Sequence, residues 1–165
     1  MKRVSSPDNP SFRELRQLAG SARERRRRGR TLLDGAHLVQ TYMERVGAPE
    51  TLVVSDQGMT RDEIRALVAG AESTVLLLAD RLFAEASPVD TPSGLMAVVR
   101  IPPPPGPRLD RGDCVVLDRI QDPGNVGSIL RSAAACRVNT VLLTAGCAQA
   151  WSPRVLRAGM GAHFL

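Results

Sequence analysis

The sequence predicts an α/β fold with mainly parallel strands, in two parts separated by a proline-rich stretch. Three observations carry this. Short aliphatic runs such as TLVVS at 51–55, TVLLL at 74–78, CVVL at 114–117 and TVLLT at 140–144 alternate with segments whose apolar residues recur at helical spacing. Residues 101–111 (IPPPPGPRLDR) hold five of the chain's twelve prolines. The composition, 43% hydrophobic and 24% charged over 165 residues, is that of a chain that buries a core.

In order along the chain, Ser11 with Glu14 three positions on reads as a capping box. Phe12, Leu15, Leu18, Ala19 and Ala22 then give an apolar helical stripe, so a basic helix is expected over 11–30, with Gly29 interrupting its charge. A second helical pattern (Leu38, Val39, Tyr42, Met43, Val46) ends at Gly47 and Pro49. A buried strand follows at 51–55. Thr60 with Glu63 opens a helix that turns Ile64, Leu67 and Val68 inward before Gly70. Next come a strand at 74–78, a short helix at 80–86 and a strand at 94–101 (GLMAVVRI). Pro102–Pro105 cannot join a ladder and favour an extended polyproline spacer, which divides the chain into 1–101, a linker 102–111, and 112–165. Beyond it, 114–117 reads as a buried strand, 125–136 as a helix, 140–144 as a strand, and 152–157 as a short helix opened by Ser152-Pro153. There is no internal repeat.

Several function classes drop out. No apolar run approaches the roughly 18 residues of a membrane helix, and the start, MKRVSSPDNP, lacks a signal peptide's apolar stretch. Cys114, Cys136 and Cys147 are odd in number and form no CxxC pair, which argues against a disulfide framework or zinc cluster and fits a reducing cytoplasm. His37 and His163 are the only histidines, so no metal site is expected. GxxxxGK, GxSxG and GxGxxG are absent; the GxxG at Gly124–Gly127 follows a strand, whereas that of a KH module joins two helices.

The charge is lopsided. Residues 1–30 carry ten basic side chains against three acidic ones, and the remainder twelve against fourteen, so all of the net +5 sits in the first thirty residues. Arg23, Arg25, Arg26, Arg27, Arg28 and Arg30 form a dense block that would attract phosphates by charge and forked hydrogen bonds. A solvated helix face is the plainer reading of such a run. Because this one follows an amphipathic helix, RNA contact is preferred.

The segment with chemistry in it is 117–135, LDRIQDPGNVGSILRSAAA. A strand ends at Leu117, a loop turns at Asp122-Pro123-Gly124, and a helix starts near Asn125, which is expected to cap it. Such a helix start lies past the strand's carboxyl end, where open α/β sheets hold ligands. Gly124 and Gly127 permit close backbone approach. Arg131, six positions after Asn125, leaves the helix on another side. Read by periodicity only, this is a common loop followed by a surface arginine.

Residues 118–135 resemble the first signature motif of the SpoU/TrmH RNA 2′-O-methyltransferases of the SPOUT superfamily, and 151–164 (WSPRVLRAGMGAHF) are similar to the stretch that follows in that family, with Gly159 where serine is usual. Upstream, the basic helix, TLLDGAHLVQ and DTPSGLMAVV are similar to the family's N-terminal substrate-binding domain; Leu33-Asp34-Gly35 keeps the acid and glycine of its Phe-x-x-Glu-Gly pattern.

The resemblance implies a ribosomal-protein-like α/β RNA-binding domain, then the first part of an α/β-knot domain. The implied reaction moves a methyl group from S-adenosylmethionine to a ribose 2′-hydroxyl, with ribosomal RNA ahead of transfer RNA as substrate, in a homodimer. Asn125 and Arg131 fall on the family's functional asparagine and arginine. A guanidinium keeps its proton in proteins, so Arg131 is assigned to clamping the target phosphate and stabilising the developing alkoxide. Arg157 falls on a basic position of the second stretch and is expected to make an RNA or structural contact. The family's later motifs, which make most of the cofactor pocket, are not in the sequence up to Leu165, so a piece of a longer enzyme is expected. A non-catalytic RNA-binding module and a small-molecule phosphate binder are the competing readings.

Overall fold

Strands that are apolar on both sides need cover on both faces, and the first half of the chain is built to give it. The computed structural model describes all residues except 90, 104–105 and 107–111, and it falls into two units, Met1–Ile101 and Pro102–Leu165. Of the expected polyproline run and spacer at 102–111, residues 104–105 and 107–111 lie outside the described residues.

The first unit runs β1 (Lys2–Val4), α1 (Pro10–Gly20), α2 (Ala22–Arg28), β2 (Arg30–Asp34), α3 (Ala36–Arg45), β3 (Thr51–Ser55), α4 (Asp62–Ala69), β4 (Thr74–Leu78), α5 (Asp80–Ala86) and β5 (Leu95–Arg100). The sheet order is β1-β4-β3-β5-β2. β4 pairs in parallel with β1 and β3, whereas β5 runs antiparallel to β3 and β2, so the sheet is mixed rather than mainly parallel. Phe12, Leu15 and Leu18 of α1 and Leu82, Phe83 and Ala86 of α5 pack on Leu32, Val53, Leu76 and Met96. The intervening strand residues Leu33, Leu52 and Val54 are also fully buried, as are Val39 and Ile64 of α3 and α4. That two-sided burial is why the strands read as continuous apolar runs.

Several local expectations shift. Asn9, not Ser11, caps α1: its side chain accepts from the Ser11 N–H, with Pro10 at the first helical position. The expected helix over 11–30 is two helices, because Ser21 leaves helical geometry at φ −116° and caps α2 through its hydroxyl. Gly29 ends α2 in the left-handed region at φ 62°, where glycine alone is unstrained. The Thr60–Glu63 capping box does not form. Thr60 instead donates to the Gln57 carbonyl within a single 3-10 turn, and α4 starts at Asp62. β1 and β2 are strands the periodicity did not signal.

In the second unit β6 (Cys114–Leu117), α6 (Pro123–Ala135), β7 (Thr140–Leu143) and α7 (Pro153–Gly159) form a parallel two-stranded sheet carrying two helices. Leu117, Val126 and Val155 make its buried centre, with Val115, Ile129 and Val141 against them. β6 is not a buried strand: Val115 and Leu117 face in, while Cys114 is exposed and Val116 is 61% exposed, because only one face of this sheet is covered.

Candidate functional site

At the carboxyl ends of β6 and β7 two loops are stitched together. The Thr144 N–H donates to the Leu117 carbonyl, and its hydroxyl donates to Asp118 Oδ1 at 2.7 Å while accepting from the Arg119 N–H. Arg119 sits at φ 50°, uncommon for a residue with a Cβ, and the Thr144 bond helps hold it there. The half-buried Cys147 thiol donates to the Leu117 carbonyl at 3.2 Å and its sulfur accepts from the Ile120 N–H at 3.3 Å. Ala148 N–H completes the seam on the Ile120 carbonyl. The loop that leads into α6 is therefore pinned before the helix starts.

The helix start differs from expectation in one respect. Asp122, not Asn125, is the N-cap: its carboxylate accepts from the Asn125 N–H at 2.7 Å, and Pro123 takes the first helical position. Asp-Pro is the better entry because the proline lacks an N–H that would otherwise be orphaned, and its φ suits the helix. The helix consequently begins two residues before Asn125, and Asn125 lies in its first turn with its side chain exposed. Arg131, also exposed, lies two-thirds of a turn around the helix from it and about 9 Å further along the axis. Asp122 was legible as an aspartate before proline; Thr144 and Cys147 carried no signal in the sequence.

Gly127 serves packing. A Cβ there would lie 2.5 Å from Ala158 Cβ and 2.6 Å from the Val155 carbonyl oxygen, so α6 and α7 meet backbone to backbone. Gly124 is exposed in the first turn of α6. Arg157 is half-buried in the last turn of α7. His163 lies beside Trp151, with its Nε2 2.9 Å from the Ala150 carbonyl, and burial lowers its pKa from the ordinary 6.5.

The basic block is redrawn by the first unit. Arg25, expected among the RNA contacts, is 5% exposed, and its guanidinium donates to the carbonyls of Leu18 and Ala19 at the end of α1. It caps a helix and is not available to a phosphate. Burial, with a smaller push from the Arg26 charge, lowers its pKa from the ordinary arginine value. Arg27 and Arg28 pair with Glu24, whose carboxyl the Arg27 hydrogen bond holds below its ordinary pKa. Arg28 also reaches Glu14, and Arg30 bridges Glu14 and Glu50. Such partly solvated pairs are worth about 0–1 kcal/mol and can be exchanged for phosphates. Arg23 and Arg26 are exposed and in no ion pair among the described residues.

The second unit's cleft of about 450 Å³, lined by Leu130, Ala134, Arg137, Val138 and Val141, opens at the amino end of β7, away from Asn125. No group of three His, Cys, Asp or Glu is placed to hold a metal among the described residues, and no helix there is long and apolar enough to cross a membrane.

A strand–loop–helix edge following a separate α/β unit with a basic helix defines a two-part α/β protein. Known proteins carry the same two parts. Residues 9–97 match the MRM3-like substrate binding domain, and residues 113–165 match the SpoU rRNA Methylase family. An uncharacterized tRNA/rRNA methyltransferase of Synechocystis sp. is 34% identical over 98% of this chain and 60% of its own length. The 23S rRNA guanosine 2′-O-methyltransferase RlmP of Bacillus subtilis is 27% identical over 99% of this chain and 63% of its own. The crystal structure of the SpoU methyltransferase AviRb from Streptomyces viridochromogenes, in complex with AdoMet, superposes with a TM-score of 0.80 at 26% identity, covering 94% of this chain and 59% of that one. The chain belongs to the SpoU/TrmH family of rRNA methyltransferases and carries an MRM3-like substrate-binding domain. It spans about 60% of the length of the Synechocystis relative.

Proposed function

We propose that the protein is part of an RNA methyltransferase that moves a methyl group from S-adenosylmethionine to a ribose 2′-hydroxyl of structured RNA, ribosomal RNA ahead of transfer RNA. The observation that carries this is the 118–135 segment. It folds as a pinned loop and capped helix at the carboxyl edge of a parallel strand pair, with Asn125 and Arg131 exposed on α6. In this reading Asn125 orients the reacting ribose at the helix start. Arg131 clamps the adjacent phosphate and stabilises the alkoxide as its proton leaves. Arg23 and Arg26 supply sequence-independent, salt-sensitive attraction to the RNA backbone, and Arg157 a further contact. The enzyme works as a homodimer, as the family resemblance implies, and the three cysteines without a CxxC pair favour a reducing cytoplasm as its setting.

The test is methyl transfer from radiolabelled S-adenosylmethionine to ribosomal RNA by the protein as its own gene encodes it. Arg131→Ala is expected to abolish transfer without changing the thermal melt, since the side chain is exposed. Undiminished transfer in that variant would remove Arg131 from the mechanism, and no transfer to any RNA by the unaltered protein would overturn the reading.

A further inference from the structure

Where β3 and β4 end, the first unit opens into a cleft of about 520 Å³, inside the range of roughly 300–1,000 Å³ typical of small-ligand sites. Its walls are preformed. Ser55 N–H donates to the Gly94 carbonyl at 3.0 Å, Gly58 N–H donates to the Ser55 hydroxyl at 2.8 Å, and Gly58 packs so tightly on Gly94 that neither has room for a Cβ. Gly94 also holds φ +91°, which only glycine takes without strain. Phe83, fully buried, forms the floor, with Ala84 and Pro92 beside it.

The polar groups select the occupant. Asp80 Oδ1 accepts from the Gln57 N–H at 2.9 Å, and Oδ2 makes no bond among the described residues. Arg61 is committed to the Ser93 carbonyl across the mouth and to Glu63. The backbone N–H groups of Gln57 and Gly58 are likewise taken, by Asp80 and Ser55. The Asp80 carboxylate repels a phosphate here, and beside an apolar floor its free oxygen suits a flat, uncharged group with N–H donors on one edge. Sequence-selective RNA recognition works by taking such groups, unstacked bases, into pockets.

We propose that this cleft takes one unstacked nucleobase of RNA, with Asp80 accepting from its amino edge and the ring lying against Pro92 and Ala84. Guanine, with adjacent N1–H and N2–H donors, fits best; uracil, whose single N–H is flanked by two carbonyls, fits worst. The inference rests on the RNA reading above and adds base selectivity, which the arginines of α2 cannot supply.

The test is a titration of the isotope-labelled 165-residue chain with the oligoribonucleotides UUGUU and UUUUU, followed by amide chemical shifts. Saturable shifts at Gln57, Gly58, Ser93 and Gly94 are expected, with UUGUU binding on the order of tenfold tighter. Asp80→Asn keeps an acceptor for Gln57 and should lose the guanine preference. Ala84→Trp, on an exposed position, should block the cleft shifts with the thermal melt unchanged. Shifts confined to α2 would overturn the cleft proposal while leaving RNA binding standing. Binding indifferent to both substitutions would also overturn it. The absence of any shift with either oligomer would sink the RNA reading itself, and this proposal with it.

Discussion

The Asp122 carboxylate holds the backbone N–H of Asn125 at 2.7 Å. The cap therefore sets both where α6 begins and where the Asn125 side chain leaves it. Asp122→Ala should destabilise the second unit by about 1 kcal/mol, the usual worth of an N-cap, and should lower methyl transfer by more than that loss of folded protein explains. Asp122→Asn keeps an acceptor and should retain most of both. Urea unfolding monitored beside activity separates the two effects; equal activity of the Ala and Asn variants would show that the cap does not position Asn125.

Arg25 and Arg26 are neighbours in sequence with opposite roles. Arg25→Ala removes the donors on the Leu18 and Ala19 carbonyls and a buried stem, and should cost roughly 2 kcal/mol of stability. Arg23→Ala and Arg26→Ala should leave stability within about 0.5 kcal/mol. Each should flatten the dependence of RNA affinity on salt by about one phosphate contact. Filter binding at several salt concentrations, set beside thermal melts of the same three variants, gives the comparison. An Arg25 variant with a normal melt and a reduced salt slope would reverse the assignment.

That pair also shows what a sequence can and cannot reveal. Charge counting places all six arginines of the block in one class, because the turn that aims Arg25 back at α1 depends on Ser21 leaving the helix, a tertiary outcome with no periodic signal. Helices with clear apolar spacing, such as α1 and α3, were legible; β2 was not, because RTLLD sets only two aliphatic residues, Leu32 and Leu33, between the charged Arg30 and Asp34 and so shows no apolar run. The orientation of β5 was equally hidden, since an apolar run does not say which way its neighbours point. At the candidate site the motif exposed Asn125 and Arg131, while the Thr144–Asp118 and Cys147–Leu117 bonds join residues 26 and 30 positions apart and had no local signature.

Gly127 gives a sharper test of the packing. Its missing Cβ leaves room for the Val155 carbonyl and the Gly159 N–H, both backbone groups that cannot rotate away. Although alanine favours helices over glycine by up to about 1 kcal/mol, Gly127→Ala should destabilise by roughly 1–3 kcal/mol because α7 has to move. Chemical denaturation of the single variant decides it, and a stabilised protein would mean the two helices separate at little cost.

The last prediction concerns pH. His163 Nε2 faces the Ala150 carbonyl oxygen, so Nε2 carries the proton and donates; Nδ1 is then a bare acceptor, buried and without a hydrogen-bond partner among the described residues. Burial disfavours the charged ring, an effect the Ala150 bond only partly offsets, so the folded pKa lies below the unfolded value of 6.5. The unfolded chain thus takes up a proton that the folded chain refuses. This contribution to stability is fully present above pH 6.5 and shrinks as pH falls through and below that value. His163→Gln should flatten the stability profile between pH 7 and 5. Gly159, whose Cβ position is 3.2 Å from Nδ1, offers the complementary change. Gly159→Ser should place a donor hydroxyl on the bare nitrogen and exceed Gly159→Ala by about 1 kcal/mol at pH 7, the alanine controlling for helix propensity and for the tight contact. Because the new hydroxyl favours neutral imidazole, the serine variant should also lose stability more steeply as the solution is acidified. Parallel pH profiles for serine and alanine would show that the hydroxyl does not reach His163.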